Sequence, residues 1–196
     1  MIQLETVVIS ANKNETNRLE APIVVHVMTP KLFENTNSVC LAQGLSFQPG
    51  LRVETNCQNC GFQQVRINGL DGPYTQLLLD GKALFSSLNG VYGIEQIPTG
   101  MIERVEVMRG GGSALYGANA IGGTVNIITK EPLNNLFMIS HNLTAIGNSA
   151  YDNTTSLNTS LVNSQRDAGI YLFGTSRHRQ HYDHDGDHFS EIGKLK

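Results

Sequence analysis

The stretch from Ile102 to Lys130 constrains the fold more than any other part of this chain, because two β-prone segments flank a connector crowded with glycine. Val105 and Val107 alternate with charged residues, which is the period-two pattern of a half-buried strand. A second apolar segment before Lys130 predicts the returning strand. Between them, Ser113 can cap one helical turn that Gly117 ends. So many glycines indicate a backbone that turns tightly or passes close to another surface.

A glycine-rich connector behind a strand is also typical of phosphate-binding loops, but the neighbouring residues argue against that class. A P-loop needs a lysine followed by serine or threonine after its last glycine, and a dinucleotide fingerprint opens a long helix. Here Gly112 is followed by Ser113, Ala114 and Leu115, and the helical turn is too short to direct its dipole at a phosphate. We therefore expect no nucleotide site in this stretch.

The composition of the 196 residues changes near position 133. Before it, glycine, proline and aliphatic residues alternate as in a compact α+β domain, and after it Asn, Ser and Thr alternate with single apolar residues. The segments 136–146, 154–162 and 168–177 have period-two alternation and about the 9 to 11 residues that a tilted strand needs to cross a bilayer. A soluble sandwich would show the same alternation.

Charge and hydropathy exclude other classes of protein. The net charge of −3 provides no basic footprint for nucleic acid, and no apolar run is long enough for a transmembrane helix. The first residues show no secretory leader, so either the chain is cytosolic or its leader is missing from this numbering. No Ser/His/Asp set or paired-carboxylate cleft is suggested, and we expect no enzyme and no cofactor.

The residues before Ile102 predict a small mixed unit of strands and helices. Thr29-Pro30 marks a helix start, and Asn37 or Ser38 marks a second one, on which Cys40 packs as a small apolar residue. A hairpin is predicted with arms at 51–53 and 65–67. The loops 56–62 and 85–92 are candidates for binding, because loops on a rigid sheet often bind ligands, although loops that merely close a chain are common.

Cys57 and Cys60 leave several chemistries open. They form only half of a zinc ribbon, and no second Cys-x-x-Cys pair exists. A redox pair normally opens a helix, whereas this one lies at a predicted loop tip between strands. A disulfide in an oxidising compartment is the preferred interpretation, with free thiols and metal or redox chemistry as alternatives.

Taken in order, these motifs resemble the plug domain of TonB-dependent outer-membrane receptors. The match runs from E-T-V-V-I-S-A at Glu5 through P-G-L at Pro49, R-I-N-G at Arg66 and L-L-D-G at Leu78 to the whole of 102–129. Two departures are visible. I-N-G stands where the family has I-R-G, and Glu5 stands where aspartate is common.

The resemblance implies an α+β plug domain, a small mixed β-sheet with short helices, followed by antiparallel strands of a transmembrane β-barrel of about 22 strands. The expected division is a TonB-box segment and linker at 1–18, the plug domain at 19–132 and the first barrel strands at 133–196. Open sheet edges cannot lie in lipid because their backbone groups would stay unsatisfied. We therefore expect the chain to be a fragment or truncated form, or to depend on partners.

The implied function is active transport across the outer membrane, with the plug facing the periplasm and the barrel lumen. A scarce nutrient such as an iron–siderophore, haem or cobalamin binds outside, and the energy-transducing protein TonB pulls on the TonB box. The implied partners are TonB, a metal-chelate or vitamin ligand and outer-membrane lipid. The alternatives are a glycan or peptide importer of the same architecture and a non-transporting plug-like binding or signalling module.

The resemblance also implies three sets of site residues. The TonB box, expected to pair with TonB as an added strand, comprises Glu5, Thr6, Val7, Val8, Ile9 and Ser10. The loop residues expected to face the ligand are Asn56, Gln58, Asn59, Phe62, Phe85, Ser86, Asn89 and Tyr92. The residues expected to reach barrel-wall charges beyond residue 196, rather than form a solvated charged face, are Arg66, Glu103, Arg104, Glu106 and Arg109.

The segment from His178 to His188 is rich in histidine and aspartate and suggests a metal site. Asp183, Asp185 and Asp187 are spaced like calcium ligands, but Gly186 stands fourth where an EF-hand loop has its glycine sixth, and the distal glutamate is missing. A solvated polar loop is the preferred interpretation, and capture of a cation or haem is the alternative.

Overall fold

The computed structural model describes residues 7–8, 16–17, 21, 23–57, 62–84, 93–110, 113–147, 149–188 and 190–194. The chain forms twelve strands and three short α-helices within these ranges. In chain order they are β1 (Val7–Val8), β2 (Thr16–Asn17), β3 (Val25–Met28), α1 (Pro30–Asn35), α2 (Leu41–Leu45), β4 (Leu51–Cys57), β5 (Phe62–Ile67), β6 (Thr75–Leu79), β7 (Lys82–Ala83), β8 (Ile102–Arg109), α3 (Ser113–Tyr116), β9 (Gly123–Thr129), β10 (Leu136–Ile146), β11 (Ala150–Val162) and β12 (Gly169–Arg179).

The described part of residues 25–132, here called the plug after the resemblance, is organised around a five-stranded mixed sheet in the order β3, β8, β9, β6, β7. Strands β6 and β9 run parallel, while the other neighbours are antiparallel. Val105 pairs with Ile127 and Val107 with Val125, and all four side chains are fully buried. The strand–turn–strand unit predicted for 102–130 is confirmed, and it supplies two adjacent inner strands of the sheet.

The glycine-rich connector between β8 and β9 passes close to its own sheet. Gly117 follows α3 with a φ of +92° and a ψ of −179°, a backbone region that is essentially restricted to glycine. Gly123 has a φ of +143°, and a Cβ there would lie 2.2 Å from the carbonyl oxygen of Met108. At Gly123 the close approach predicted for this stretch is therefore an approach to the neighbouring strand.

The two helices of the amino-terminal half pack on the sheet, and one begins later than predicted. Helix α1 begins at Pro30, as expected. Helix α2 begins at Leu41 rather than at Asn37 or Ser38, because Asn37 adopts a φ of +51° and its N–H still caps α1 by donating to the carbonyl of Glu34. Cys40 precedes α2 and is buried, as predicted. None of the described helices is long and apolar enough to span a membrane.

Strands β10, β11 and β12 form a separate antiparallel sheet, here called the wall. Strand β10 has the predicted bounds. Strand β11 begins at Ala150, four residues earlier than predicted, because its pairing with β10 continues to Ala150 opposite Ile146. Strand β12 likewise runs on to Arg179, two residues further than predicted.

The two faces of the wall differ in polarity. The β11 side chains facing the plug are buried, and most are polar. The opposite face exposes large apolar side chains, among them Phe137, Ile139, Leu161 and Ile170. A sandwich strand would bury its apolar face and expose its polar one, whereas polar-inside and apolar-outside is typical of an outer-membrane barrel strand.

Candidate functional site

The amino-terminal segment predicted to be the TonB box is paired with its own chain. Val7 lies opposite Asn17 and Val8 opposite Thr16 in the antiparallel pair of β1 and β2. Glu5, Thr6, Ile9 and Ser10 lie outside the described residues. Binding of TonB to this segment stays a prediction, and any added strand would have to replace this two-residue pairing or extend it.

The predicted ligand loops follow the ends of described strands. Asn56 lies in β4 and Phe62 begins β5, with a β-bulge near the end of this hairpin. The remaining predicted ligand residues lie outside the described residues; they are Gln58, Asn59, Phe85, Ser86, Asn89 and Tyr92. Cys57 ends β4 and Cys60 lies outside the described part, so both the ligand contacts and the disulfide stay predictions.

Four of the five charged residues predicted to reach the barrel have described partners inside the plug. Arg104 Nε lies 2.9 Å from Oε1 of Glu106, whose side chain is fully buried. Arg66 contacts Glu54 at 2.6 Å and Asp71 at 3.1 Å. Arg109 donates to the carbonyl of Pro49, and Glu103 is exposed on β8. Their contacts with barrel charges beyond residue 196 stay a prediction.

A different set of charges joins the plug to the wall. Glu95 Oε1 accepts hydrogen bonds from Nη1 of Arg177 at 3.3 Å and from Nη1 of Arg179 at 2.5 Å. Arg177 also donates to the Asp152 carboxylate through Nε at 3.0 Å and Nη2 at 2.5 Å. The Arg177, Asp152 and Glu95 side chains are only 8%, 9% and 10% exposed. These four residues, the docking cluster, bury two positive and two negative charges together, as buried charges require.

The docking cluster also touches the plug beside helix α2. Arg177 Nη1 lies 3.5 Å from Sγ of Cys40. The backbone around Cys40 is bound to the residues after Glu95, because the N–H of Leu41 donates to Ile97 at 2.9 Å and that of Thr99 donates to Val39 at 3.2 Å. Burial raises the pKa of the Cys40 thiol, so it stays protonated at neutral pH.

Residues 93–101, here called the docking segment, follow the wall from Glu95 to Gly100. The Tyr171 hydroxyl donates to the carbonyl of Gly100 at 2.9 Å. A Cβ at Gly100 would lie 2.8 Å from Oδ1 of Asn158. Asp152, near Glu95, and Asn158 are six residues apart on β11, a rise of about 20 Å. The plug backbone therefore lies against the wall along much of one strand.

A cavity of about 240 Å³ lies beside the docking segment, between plug and wall. Its plug side includes Phe33 and Asn37, and its wall side includes Asn142 and Thr154. Across it, Nδ2 of Asn142 donates to Oδ1 of Asn37 at 2.6 Å. This contact between plug and wall is uncharged, so each lost hydrogen bond there costs less than a charged pair.

The sequence analysis did not identify Glu95, Asp152, Arg177 or Arg179 as functional residues. The alternation of side chains along β12 could have indicated two of them. Arg177 and Arg179 are odd-numbered, like Tyr171, and the register of β12 places these side chains toward the plug. Phe173 and Thr175 lie on the same face. Two arginines on the inward face of a strand require carboxylate partners. Their plug partner could not be chosen without the fold.

The carboxylates after β12 come together at the surface. Asp183, Asp185, Asp187 and Glu191 each offer an oxygen, and these atoms lie within 4.8 Å of one another. The sequence analysis named the three aspartates but did not include Glu191. Hydrogen bonds from the N–H groups of Gly186 and His188 help to lower the pKa of Asp183. The group is mostly exposed, and its role as a loop or a cation site stays open.

Comparison with known proteins identifies the class. A sequence model described as the TonB-dependent receptor plug domain matches residues 17–124, more than half of the chain. The chain therefore belongs to the TonB-dependent receptor plug domain family. The recognition and the fold class predicted from the sequence are confirmed.

Among curated relatives, the vitamin B12 transporter BtuB of Vibrio vulnificus is 35% identical over 127 residues, covering 65% of this chain and 21% of that protein. The vitamin B12 transporter BtuB of Vibrio cholerae serotype O1 is 31% identical over 126 residues, with coverages of 64% and 21%. This chain matches only about a fifth of the length of these relatives. Both relatives are named as transporters.

Solved structures share the fold. The siderophore receptor PirA of Acinetobacter baumannii has a TM-score of 0.68 at 25% identity, covering 84% of this chain and 26% of that one. A variant of the ferric enterobactin receptor PfeA of Pseudomonas aeruginosa has a TM-score of 0.66 at 26% identity, with coverages of 91% and 27%. The FpvAI–pyocin S2 complex reaches 0.70 at 18% identity, covering 89% of this chain and 22% of that one, and it shows the fold alone.

Proposed function

We propose that this chain is the plug and first barrel strands of an outer-membrane receptor that binds a scarce metal-containing nutrient and imports it with energy from TonB. The observation that carries the proposal is a plug docked through buried charges on the polar face of a sheet whose other face is apolar. Such a sheet suits a barrel with lipid outside and a plug inside. The plug would close the lumen until a ligand binds.

The relatives support the proposed ligand class. Two relatives at 31% and 35% identity are named as vitamin B12 transporters, and structural neighbours at 25% and 26% identity are named as siderophore and ferric enterobactin receptors. Cobalamin and ferric siderophores are both compact metal chelates. We propose a ligand of this class, bound by the outward loops 56–62 and 85–92.

Coupling to TonB would use the amino-terminal strand. Among the described residues, Val7 and Val8 of β1 pair with Asn17 and Thr16 of β2, and a strand of TonB could take the place of β2. An added strand gains its affinity from main-chain hydrogen bonds. A proline at Val8 would remove one backbone donor and restrict φ.

The test uses cells that express the protein from its own gene or lack that gene. Uptake of labelled cyanocobalamin and of ferric enterobactin is expected only in the expressing cells. Val8→Pro should abolish uptake and leave surface binding intact, while Val8→Ala, which keeps the N–H donor, should transport.

Loss of both binding and uptake in Val8→Pro would contradict the coupling role of this segment. Uptake of a glycan or peptide, with none of either chelate, would support the importer of other cargo instead. Binding of a chelate with no energised uptake, in the unaltered protein, would support the non-transporting module.

A further inference from the structure

The docking cluster divides its charges unequally between plug and wall. Asp152, Arg177 and Arg179 belong to the wall strands, and Glu95 alone belongs to the plug. Without Glu95, these wall residues carry two positive charges against one negative charge. An arginine left on a buried inward face without a partner is strongly unfavourable. The wall therefore presents a place for one carboxylate from the plug.

Both arginines are held in position by the wall and the residues that follow it. Arg177 is fixed by its contacts with both oxygens of Asp152, and Arg179 Nε donates to the carbonyl of Gly193 at 2.9 Å. A guanidinium fixed in this way loses little side-chain freedom when it binds a further carboxylate. Glu95 Oε1 lies where both can donate to it.

We propose that Glu95 is the positioning residue that seats the plug, and that the arginine pair of β12 is its receptor on the wall. The contact of Glu95 with Arg177 and Arg179, here called the seat, fixes one end of the docking segment. Through Arg177 it also contacts Cys40, which precedes helix α2. It acts whatever the ligand is. Its test therefore does not depend on whether cyanocobalamin or a ferric siderophore is transported.

Burial of Cys40 provides the readout. Its side chain is 3% exposed beneath the docking segment and Arg177, so a seated plug should protect the thiol from N-ethylmaleimide. Trypsin releases residues 32–52 as one peptide with Cys40 as its single cysteine, while Cys57 and Cys60 fall in 53–66. Mass spectrometry of native membranes can thus follow Cys40 alone.

The experiment compares Glu95→Gln and Arg177→Met with Glu131→Gln, a carboxylate-to-amide control at an exposed plug residue. The charge of Glu95 raises the pKa of Cys40 and that of Arg177 lowers it. In a plug that stays seated, Glu95→Gln would therefore speed alkylation and Arg177→Met would slow it. Unseating should speed both, by about tenfold if the seat contributes about 1.4 kcal/mol.

Faster alkylation in both variants, with Glu131→Gln at the original rate, is the result expected. The double variant should be no faster than the faster single variant, because the two residues act as one unit. Slower or unchanged alkylation in Arg177→Met, or a Glu95→Gln rate equal to that of Glu131→Gln, would overturn the proposal.

Two conservative variants keep the test decisive if Arg177→Met fails to reach the membrane. Glu95→Asp retains the carboxylate and should keep most of the protection. Arg177→Lys retains the charge but loses the fork that contacts Asp152 and Glu95 together, and should give an intermediate rate. Full protection in Arg177→Lys together with full exposure in Glu95→Asp would reject the assigned geometry.

Discussion

Strand β8, which belongs to the motif at 102–130, and the docking segment differ in where their charged residues find partners. Arg104 and Glu106 of β8 pair with each other at 2.9 Å inside the plug. Glu95 of the docking segment pairs with Arg177 and Arg179 on another sheet. Arg104 and Glu106 of the recognisable motif therefore support the plug's own fold, while Glu95, a carboxylate outside the motif, joins the plug to the wall.

Sequence separation explains the difference. Arg104 and Glu106 are two residues apart on one strand, so a short motif can contain both partners. Glu95 and Arg177 are 82 residues apart, and their contact depends on the register of β12 and the position of the docking segment together. A local pairing can be read from a motif, whereas a pairing between domains cannot.

The largest expected effect of a substitution on stability lies inside the stretch 102–130. Gly123→Ala should destabilise β8 and β9 by about 4 kcal/mol or more, because its Cβ would lie 2.2 Å from the Met108 carbonyl. Gly81→Ala is the control, since Gly81 has a positive φ but open space around it, and it should cost about 1 to 2 kcal/mol. Hydrogen exchange of the β8 and β9 amides measures both, and equal losses would contradict the close approach.

A smaller effect separates plug stability from docking. Glu106→Gln should cost about 2 kcal/mol in the sheet, because it removes a buried charge-assisted hydrogen bond with Arg104. Alkylation of Cys40 should stay slow, since Glu106 is not part of the docking cluster. Exchange of the β8 amides and the alkylation rate are measured on the same sample. Fast alkylation with unchanged exchange would reverse the roles assigned to the two regions.

The end of the docking segment at Gly100, where the contact with the wall is uncharged, should contribute less to docking than Glu95 does. Tyr171→Phe removes the hydrogen bond to the Gly100 carbonyl and should lower protection of the docking-segment amides by about 1 kcal/mol. Tyr151→Phe, at an exposed residue of the wall, is the matched control and should leave that protection unchanged. Equal effects of the two variants would show that the Tyr171 contact does not hold the segment.

The sequence predicted the individual strands and helices better than it predicted which of them pack against each other. The bounds of β10, the β8–β9 pair and the glycine connector follow from local alternation and turn chemistry. The later start of α2 does not, because the positive φ of Asn37 is set by the end of α1. The contact of Glu95 with Arg177 was missed because neither residue belongs to a motif and only the packed fold brings them together.

The smallest expected effect concerns Cys40 at alkaline pH. Because burial raises its pKa above the ordinary value of 9.0, the unfolded chain loses this proton at lower pH than the folded one. The contribution is fully present below the unfolded value and is lost as pH rises toward the folded value. Cys40→Ala should therefore remove part of the decline in stability as pH rises through the ordinary pKa of 9.0, measured by urea unfolding between about pH 7 and pH 10. An identical decline in both proteins would contradict burial of this thiol.

Docking of residues 93–101 on β11 is tested most directly by a disulfide between Gly100→Cys and Asn158→Cys. A Cβ at residue 100 would lie 2.8 Å from Oδ1 of Asn158, so cysteines at the two positions are near enough to form a disulfide. Trypsin would then release the peptides 83–104 and 131–166 joined, and neither contains a native cysteine. The control pairs Gly100→Cys with Leu157→Cys, whose side chain points to the exposed face of the wall. We predict a link with residue 158 and none with residue 157; a link with neither, or equally with both, would contradict a plug seated on this wall.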